Sequence, residues 1–591
     1  MTIATAASGG DWLLEPITPE ATFTPERLND DHRMIAQTAA DFARAEVLPA
    51  VDRLEQKDWD LARALLRRCG ELGLLGVNVP EAYGGVELDN VSSLIVSEHI
   101  ARSASFGAAF GAQANLCVLP IMLFGTDEQR QRYLPRLVTG ELVGAYALSE
   151  SGSGSDALGA RARAVRELDG SFRLSGEKMW ITNGGFADVI IVFAKVDGDQ
   201  FSAFIVERAF GGVSSGKEEH KMGLHGSSTT PLILQDVPVP AANLLGEVGR
   251  GHKVAFNVLN FGRFKLGAMC AGGCKGAIAA AATYASERRQ FGQPIATFGA
   301  IKHKLGEMTV RTYALEALMY RTAGLLDRHL AAAAGESAAA LLAALEEFAV
   351  EASIAKVAGS ETLDYVLDEN VQVHGGNGFV RDYDAERHYR DARVNRIFEG
   401  TNEINRLLIP GILIKRALKG ELALIPAAKR LMDEIMSSAP SLDSADNVPM
   451  AAETRAVEAF KKVTLLGLGA AMQRFGARLQ DEQEALLWLA DLVIDTFAAE
   501  SVLLRCQAAR STAPNRVAAH EDAARVFISD AAMRIEMTAR QLLSATAEGD
   551  VLRTNLAALR RVLKVTPADT VHARRRLADA TVERGGYVFE V

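Results

Sequence analysis

The chain has 591 residues, more than one hydrophobic core usually organises, so several domains are expected. Its composition, 48% hydrophobic and 23% charged, is that of an ordinary globular protein. A net charge of −10 and a pI near 5.7 leave no global positive field for a nucleic-acid partner, although a phosphate-bearing cofactor needs only local backbone and a few Arg side chains.

The first helical texture runs from Asp30 to about Gly140. Met34, Ile35, Thr38, Phe42 and Ala45 recur at helical intervals and predict one face of an amphipathic helix. From Glu141 to about 250 the texture changes to β-branched runs such as VIIVFAKV and SAFIVERAF. Asp169-Gly170, Asn183-Gly184 and Asp197-Gly198 read as hairpin turns between them, predicting a central antiparallel β-barrel domain. Helical spacing returns from Gly251 to about Gly420, where Phe298, Ile301, Leu305, Met308, Thr312, Leu315 and Met319 step by threes and fours as bundle helices do. The polar stretch 437–450 reads as a linker, and 451–591 as a further helical domain. The expected fold class is therefore α+β and multidomain: an N-terminal helical domain (30–140), a β domain (141–250), a helical bundle (251–420) and a C-terminal helical extension (451–591).

Cys69, Cys117, Cys270, Cys274 and Cys506 are scattered, and the Cys270/Cys274 pair lacks the further ligands that zinc needs. It reads as two small buried residues on adjacent helix turns, and the cysteine pattern fits a reducing compartment. No stretch reads as a transmembrane helix, and the N-terminus lacks the pattern of a secretory or mitochondrial leader, so a cytoplasmic location is expected.

Six segments carry chemistry. They are Tyr146-Ala-Leu-Ser-Glu-Ser-Gly-Ser-Gly-Ser155-Asp, Lys178-Met-Trp-Ile-Thr-Asn-Gly-Gly185, Glu287-Arg-Arg-Gln-Phe-Gly292, Gln372-Val-His-Gly-Gly-Asn-Gly378, Arg390-Asp391 and Ile397-Phe-Glu-Gly-Thr-Asn402. The Ser/Gly-rich 149–155 stretch exposes backbone N–H groups and hydroxyls with little obstruction, which suits a pyrophosphate or flavin edge as well as a plain flexible loop. Trp180-Ile181-Thr182 sets an aromatic face and a hydroxyl beside a turn. Taken alone it is a strand with a buried Trp. Arg288, Gln290 and Phe291 form a charged helix end followed by a stop signal.

In this order the six segments resemble the acyl-CoA dehydrogenase family over residues 30–415. The resemblance implies FAD held by Tyr146, Leu148, Ser149, Gly154 and Ser155, with Trp180 stacked on the isoalloxazine and Ile181 and Thr182 at the ring. It places Arg288, Gln290, Phe291 and Phe298 at the cofactor's phosphates and adenine, partly across a subunit interface. Gln372, Gly375 and Gly376 would come from the partner chain, and Thr401 and Glu403 complete the cofactor set. It implies acyl-CoA as substrate, with Ser155, Asn260, Arg263 and Gly400 contacting it, and Glu399 as the base that takes the α-proton while flavin N5 takes the β-hydride. Burial beside an apolar chain should raise the Glu399 pKa toward neutrality. Some relatives carry the base at the position of Gly262, which cannot serve here, so one of the two sites is armed. The resemblance also gives Arg263 an electrostatic supporting role.

The 180-residue continuation, with LLGEVGRGHK (244–253), LNFGRF (259–264), IATFGAIKHKLGEM (295–308) and ATVERGGYVF (580–589), resembles the very-long-chain branch. That implies long fatty acyl substrates, a homodimer, an electron-transferring flavoprotein as acceptor and peripheral contact with a membrane through the extension. The stretch 455–479 reads either as a surface amphipathic helix or as a helix buried in the bundle, and Arg574-Arg575-Arg576 as a solvated face. Gly107, Ala108, Ala109, Gly111 and Ala112 either leave room for a long chain or permit close helix packing. Competing functions are an acyl-CoA or nitroalkane oxidase, the latter disfavoured by Glu at position 399, and a scaffold role in respiratory-complex assembly. No metal site is read.

Overall fold

The computed structural model describes residues 8–16, 18–333, 338–437 and 449–590. Its first long helix, Asp30–Phe42, starts at a capping box in which Asn29 accepts from the His32 N–H and the His32 ring accepts from the Asn29 N–H. The buried stripe is His32, Ile35, Ala39 and Phe42, whereas Met34, predicted to share it, is 65% exposed and Ala45 is also outside. His32 can face inward because its ring meets Asp89 at 2.8 Å, a partner that spacing cannot reveal.

The N-terminal domain continues through Trp59–Glu71, Asn90–Ile100 and Asp127–Val138, with Ala104–Gly111 passing through a π turn (Ala112–Val118) into Leu119–Phe124. Among the described residues two stretches, Ala104–Phe124 and Gly251–Glu287, are long and apolar enough to cross a membrane, contrary to the sequence expectation. In the fold, 78% and 67% of their most apolar windows are buried within the protein, which accounts for their composition.

The central sheet has strands β1 (Gly144–Ala147), β2 (Arg163–Arg166), β3 (Phe172–Thr182), β4 (Val189–Val196), β5 (Gln200–Glu207), β6 (Val213–Ser215), β7 (Thr229–Val239) and β8 (Leu244–Leu245). Their order is β6-β7-β3-β2-β4-β5-β8, with β1 on β4. Pairing is antiparallel except that β4 runs parallel to both β1 and β2. Asp169-Gly170 and Asp197-Gly198 close the β2–β3 and β4–β5 hairpins. Asn183-Gly184 does not make a hairpin, because β3 pairs with β2 and β7 rather than with β4. Instead Asn183, buried at φ +62°, donates to the carbonyls of Ala109 and Gly144 and bolts the sheet to the N-terminal helices.

Beyond the sheet, the Gly251–Glu287, Gly299–Ala332 and Ala349–His374 helices form the bundle, with Cys270 and Cys274 both buried on the first. Gly267 and Gly359 let two of these helices approach closely: a Cβ on Gly359 would stand 2.9 Å from the Gly267 Cα. The helical block does not end at Gly420. That residue, at φ +75°, stops the Asn402–Lys419 helix, and Leu424–Ser437 follows it. Most of the predicted linker, residues 438–448, lies outside the described residues.

The extension comprises the helices Ala451–Phe475, Gln483–Thr512, Val517–Thr546, Gly549–Val562 and Thr570–Arg584. Val463 to Leu468 and Ala471 are buried in the bundle, so the apolar part of 455–479 faces protein. The Arg574 cluster is not a plain solvated face: Arg574 is buried against Glu307 (2.9 Å) and Asp530, and Arg576 pairs with Asp522 at 2.6 Å. Buried ion pairs, alongside apolar contacts such as Trp12 with Phe497 and Tyr313 with Phe589, tie the extension to the core. Fully buried Arg505 reaches Glu26 at 2.7 Å and Glu316 at 2.6 Å and lies over the Tyr313 ring, while the Tyr587 hydroxyl donates to Glu316. The Arg505 guanidinium holds Glu316 below the usual carboxylate range despite its burial. Arg505→Met leaves two buried carboxylates short of a counter-charge and should destabilise the chain by about 3–5 kcal/mol in chemical denaturation. Substitution of exposed Arg575 should cost no more than about 0.5 kcal/mol.

Candidate active site

The Ile397–Asn402 turn reaches the cavity because its backbone is folded back. Glu399 has φ +57° and Gly400 φ +81°, and left-handed geometry in a non-glycine residue is held only where the surroundings over-determine it. Here they do. Asn405 Nδ2 donates to the carbonyls of Gly400 (2.9 Å) and Thr401 (3.0 Å), Arg263 Nε donates to the Glu399 carbonyl (3.3 Å), and the Thr401 hydroxyl caps the following helix by accepting from the Ile404 N–H. Behind the turn, Lys356 Nζ donates to Asn402 Oδ1 at 2.6 Å, and Asn402 Nδ2 donates to Ser360 and Glu361.

The result is a carboxyl placed over a bare stretch of helix. A Cβ built on Gly262 would lie 2.8 Å from Glu399 Oε2 and 3.0 Å from its Cδ, so a side chain at 262 and this carboxyl cannot share the space. Glu399 is half-buried as a residue because it faces the cavity, yet Oε2 is sealed from solvent with no hydrogen-bond partner among the described residues. Burial pushes the carboxyl up to about 7, against the downward pull of Arg263 and Lys356. Burial draws Lys356 down to about 8. Arg263 is 7% exposed, and its Nη1 donates to Asn260 Oδ1 at 2.8 Å.

Glu399, Gly262 and Thr182 line one elongated cavity of about 1080 Å³, counting its open mouth. It runs between the Gly251–Glu287 helix, the Ala104–Phe124 stretch and the Ala349–His374 helix. Gly107, Ala108, Gly111 and Ala112 line it, so these four small residues make room. Ala109 is buried elsewhere, where its carbonyl takes the Asn183 bond.

The surfaces expected to hold a cofactor fit a flat group with a polar tail. Trp180, at φ +59°, is 60% exposed beside half-buried Thr182, while Ile181 is buried in the sheet. The Tyr146 hydroxyl is buried without a partner among the described residues, and Leu148 is half-buried nearby. A Cβ on Gly152, Gly154, Gly375 or Gly376 would meet nothing within 4 Å. The 149–155 loop is held from beneath by a buried Lys178–Glu150 ion pair at 2.7 Å, with Glu150 also accepting from the Arg161 and Ala162 N–H groups. Ser149 accepts from the Met179 N–H, and Ser155 is exposed.

Other predicted residues stand far from the carboxyl. Arg288, Gln290 and Phe291 lie past the end of the Gly251–Glu287 helix, whose 25 residues beyond Gly262 span about 37 Å. Phe291 is 93% exposed and meets only the Phe298 ring edge-on at 6.0 Å among aromatic contacts. Gln372, Gly375 and Gly376 are exposed close by, joined to this region through Tyr284, which stacks on His374 at 4.2 Å. Glu403 is exposed on the first turn of its helix. Arg390 and Asp391 act as an anchor: Asp391 accepts from the Leu224 N–H, and Arg390 Nη1 donates to the Met222 carbonyl, fixing a sheet loop at the cavity. Sequence reasoning missed Lys356, Asn405 and Lys265, which no motif marks, and it quoted Asn402 without assigning it a role.

Known proteins place this architecture. Models of the acyl-CoA dehydrogenase N-terminal, middle and C-terminal domains match residues 29–141, 145–237 and 249–413, and a further acyl-CoA dehydrogenase C-terminal domain matches 459–561. A "Probable acyl-CoA dehydrogenase" of Bacillus subtilis is 46% identical over 589 residues, 99% of each chain. The crystal structure of an acyl-CoA dehydrogenase complexed with FAD from Bacillus anthracis superposes with a TM-score of 0.95 at 46% identity, covering 98% of this chain and all of that one. The bovine very long-chain specific enzyme is 41% identical over 350 residues, 57% of this chain and 51% of that one. The bovine short-chain specific enzyme is 38% identical over 393 residues, 66% of this chain and 91% of that one. The chain belongs to the acyl-CoA dehydrogenase family and is an oxidoreductase of that class.

The raised Glu399 value has a consequence for stability. A carboxyl that holds its proton more tightly when folded stabilises the fold below its ordinary range, and that contribution is lost as pH rises through about 7. Glu399→Gln should therefore melt above the parent at about pH 8, with the gap closing toward pH 5. A gap that grew on acidification would contradict the raised value.

Proposed function

We propose that this acyl-CoA dehydrogenase takes long fatty acyl-CoA thioesters, draws the α-proton onto Glu399, and works as a homodimer in the cytoplasm with an electron-transferring flavoprotein as acceptor. FAD is its cofactor, and when bound it supplies the acceptor for the β-hydride. The observation that carries the reading is the Glu399 carboxyl, unbonded at Oε2 and set over Gly262 inside the cavity.

A thioester α-proton is weakly acidic, so its removal needs a base held at the carbon and poised near the working pH. Burial raises Glu399 toward that range, while Arg263 and Lys356 keep it from rising out of it. Arg263 and Asn405 act as positioning residues by fixing the backbone on either side of the carboxylate. Trp180 and Thr182 present a face and a hydroxyl suited to the flavin ring, and the open glycines of 152–154 suit its phosphates. Lining by Gly107, Ala108, Gly111 and Ala112 supports a long chain. The dimer is read from Arg288, at the end of the helix about 37 Å from Gly262, and from Gln372 close to it, which would serve a second copy's cofactor. Val463 to Leu468 and Ala471 pack into the bundle, so a peripheral membrane contact of the extension would use other surface.

Glu399→Gln should still bind FAD and acyl-CoA, but flavin reduction by substrate should fall by about 10²–10⁴-fold, the loss typical of a positioned general base. Dithionite should still bleach the flavin. Near-normal reduction by substrate would place the base elsewhere. In the parent, reduction should rise with pH through about 7, and Lys356→Met, which removes a cation near the carboxylate, should move that midpoint upward. Arg288→Ala should lose FAD on gel filtration while the subunit keeps its helical signal. Anaerobic turnover with the flavoprotein, set against peroxide formed in air, distinguishes a dehydrogenase from an oxidase.

A further inference from the structure

Two cavities in this protein meet at a pair of polar side chains. The active-site cavity and a second, mostly apolar one of about 380 Å³, open mouth included, share Asn115 and Lys265 in their walls. Val96, Phe110, Ala114 and Phe261 bound the second cavity. Asn115 is buried on the π turn Ala112–Val118, and such turns insert an extra residue into a helix and recur at functional sites. Lys265 is 3% exposed and lies three residues after Gly262 on the same helix, about 4.5 Å further along the axis.

Lys265 is unusual in its company. Its amine is held by the Ser93 carbonyl and hydroxyl, and among the described residues no carboxylate is paired with it. Burial pulls it well below the ordinary lysine range. An alkyl chain passing this amine and the Asn115 carboxamide has no ion pair to break.

We propose that Asn115 and Lys265 form the neck of a two-lobed acyl channel, and that the tail of a long chain passes between them into the lobe bounded by Val96, Phe110 and Ala114. The inference rests on the long-chain reading above. Short chains end in the first lobe beside Glu399, whereas each methylene carried past the neck buries further apolar surface, so the second lobe selects for length. The route competes with another, because the first cavity also extends along the helix to Gly276 and Arg102. That end lies 14 residues, about 21 Å, beyond Gly262.

The test is kcat/KM of the holoenzyme for butyryl-, octanoyl- and palmitoyl-CoA. Ala114→Phe fills the second lobe and should lower the palmitoyl-to-butyryl ratio by at least about tenfold, the worth of roughly two buried methylenes. Lys265→Ala widens the neck and should raise the same ratio several-fold, which tests the neck independently should the Phe variant fold poorly. An Ala114→Phe protein that retains FAD, melts like the parent and keeps the parental ratio overturns the proposal. So does a Lys265→Ala protein with an unchanged ratio, or loss of palmitoyl preference in Gly276→Leu but not in Ala114→Phe, which would send the tail toward Arg102. A parent that turns over butyryl-CoA but not palmitoyl-CoA would instead remove the long-chain reading, and the neck's role with it, while leaving Glu399 as the base untouched.

Discussion

The approach of the Glu399 carboxyl to within 2.8 Å of where a Gly262 Cβ would stand sets the terms for the rest of the active site. A carboxylate can be held that close to a helix only if the helix presents no side chain there and the carboxylate's own backbone is folded back. The left-handed turn at Glu399–Gly400 meets the second requirement, and its strain is carried by Asn405, Arg263 and the Thr401 cap. The same closeness removes water from Oε2 and raises the carboxyl toward neutrality. Geometry and acidity therefore have one cause.

Holding that turn requires the helices to stay in register over long spans, and the fold does so with buried charge as well as apolar packing. Arg505 brings the extension to Glu26 and Glu316, and Lys275 joins Glu316 to Glu98 of the N-terminal domain. Three parts of the chain distant in sequence thus share one ionic knot. Its partners are individually costly to bury, so the knot punishes misplacement of any one of them more than it adds net stability. On the sheet side, Asn183 and Asp391 do comparable work with neutral and charged hydrogen bonds, setting Thr182 and Leu224 at the cavity wall.

Much of the site was legible in the sequence. Glu399, Thr182 and Gly262 converge on one cavity, and four of the five small residues between 107 and 112 line it. Gly152, Gly154 and Ser155, residues 288–291, and Gln372, Gly375 and Gly376 are exposed, as the sequence reading of a cofactor surface requires. Less legible were residues that act through others. Lys356 lies 43 positions before Glu399, and no local pattern marks one lysine in a buried helix as facing that carboxyl; Asn405 resembles any polar residue early in a helix. The errors share a source as well. Met34 was assigned to the wrong face because two stripes satisfied the same spacing, and Arg574 was taken for solvated surface because its partners, Glu307 and Asp530, are hundreds and tens of residues away.

The sequence by itself determined the order of domains, the helix and strand textures and the acyl-CoA dehydrogenase class, and it singled out Glu399, because each is written in short-range spacing or in contiguous motifs. Only the tertiary structure decided which face of a helix is inside, which turns close hairpins, and which apolar stretch serves the core instead of a membrane. It alone decided that Lys265 and Asn115 stand between two cavities. The physical reason is that burial, counter-charge and free volume are properties of side chains brought together from far apart, and periodicity along one chain carries no information about what it will pack against.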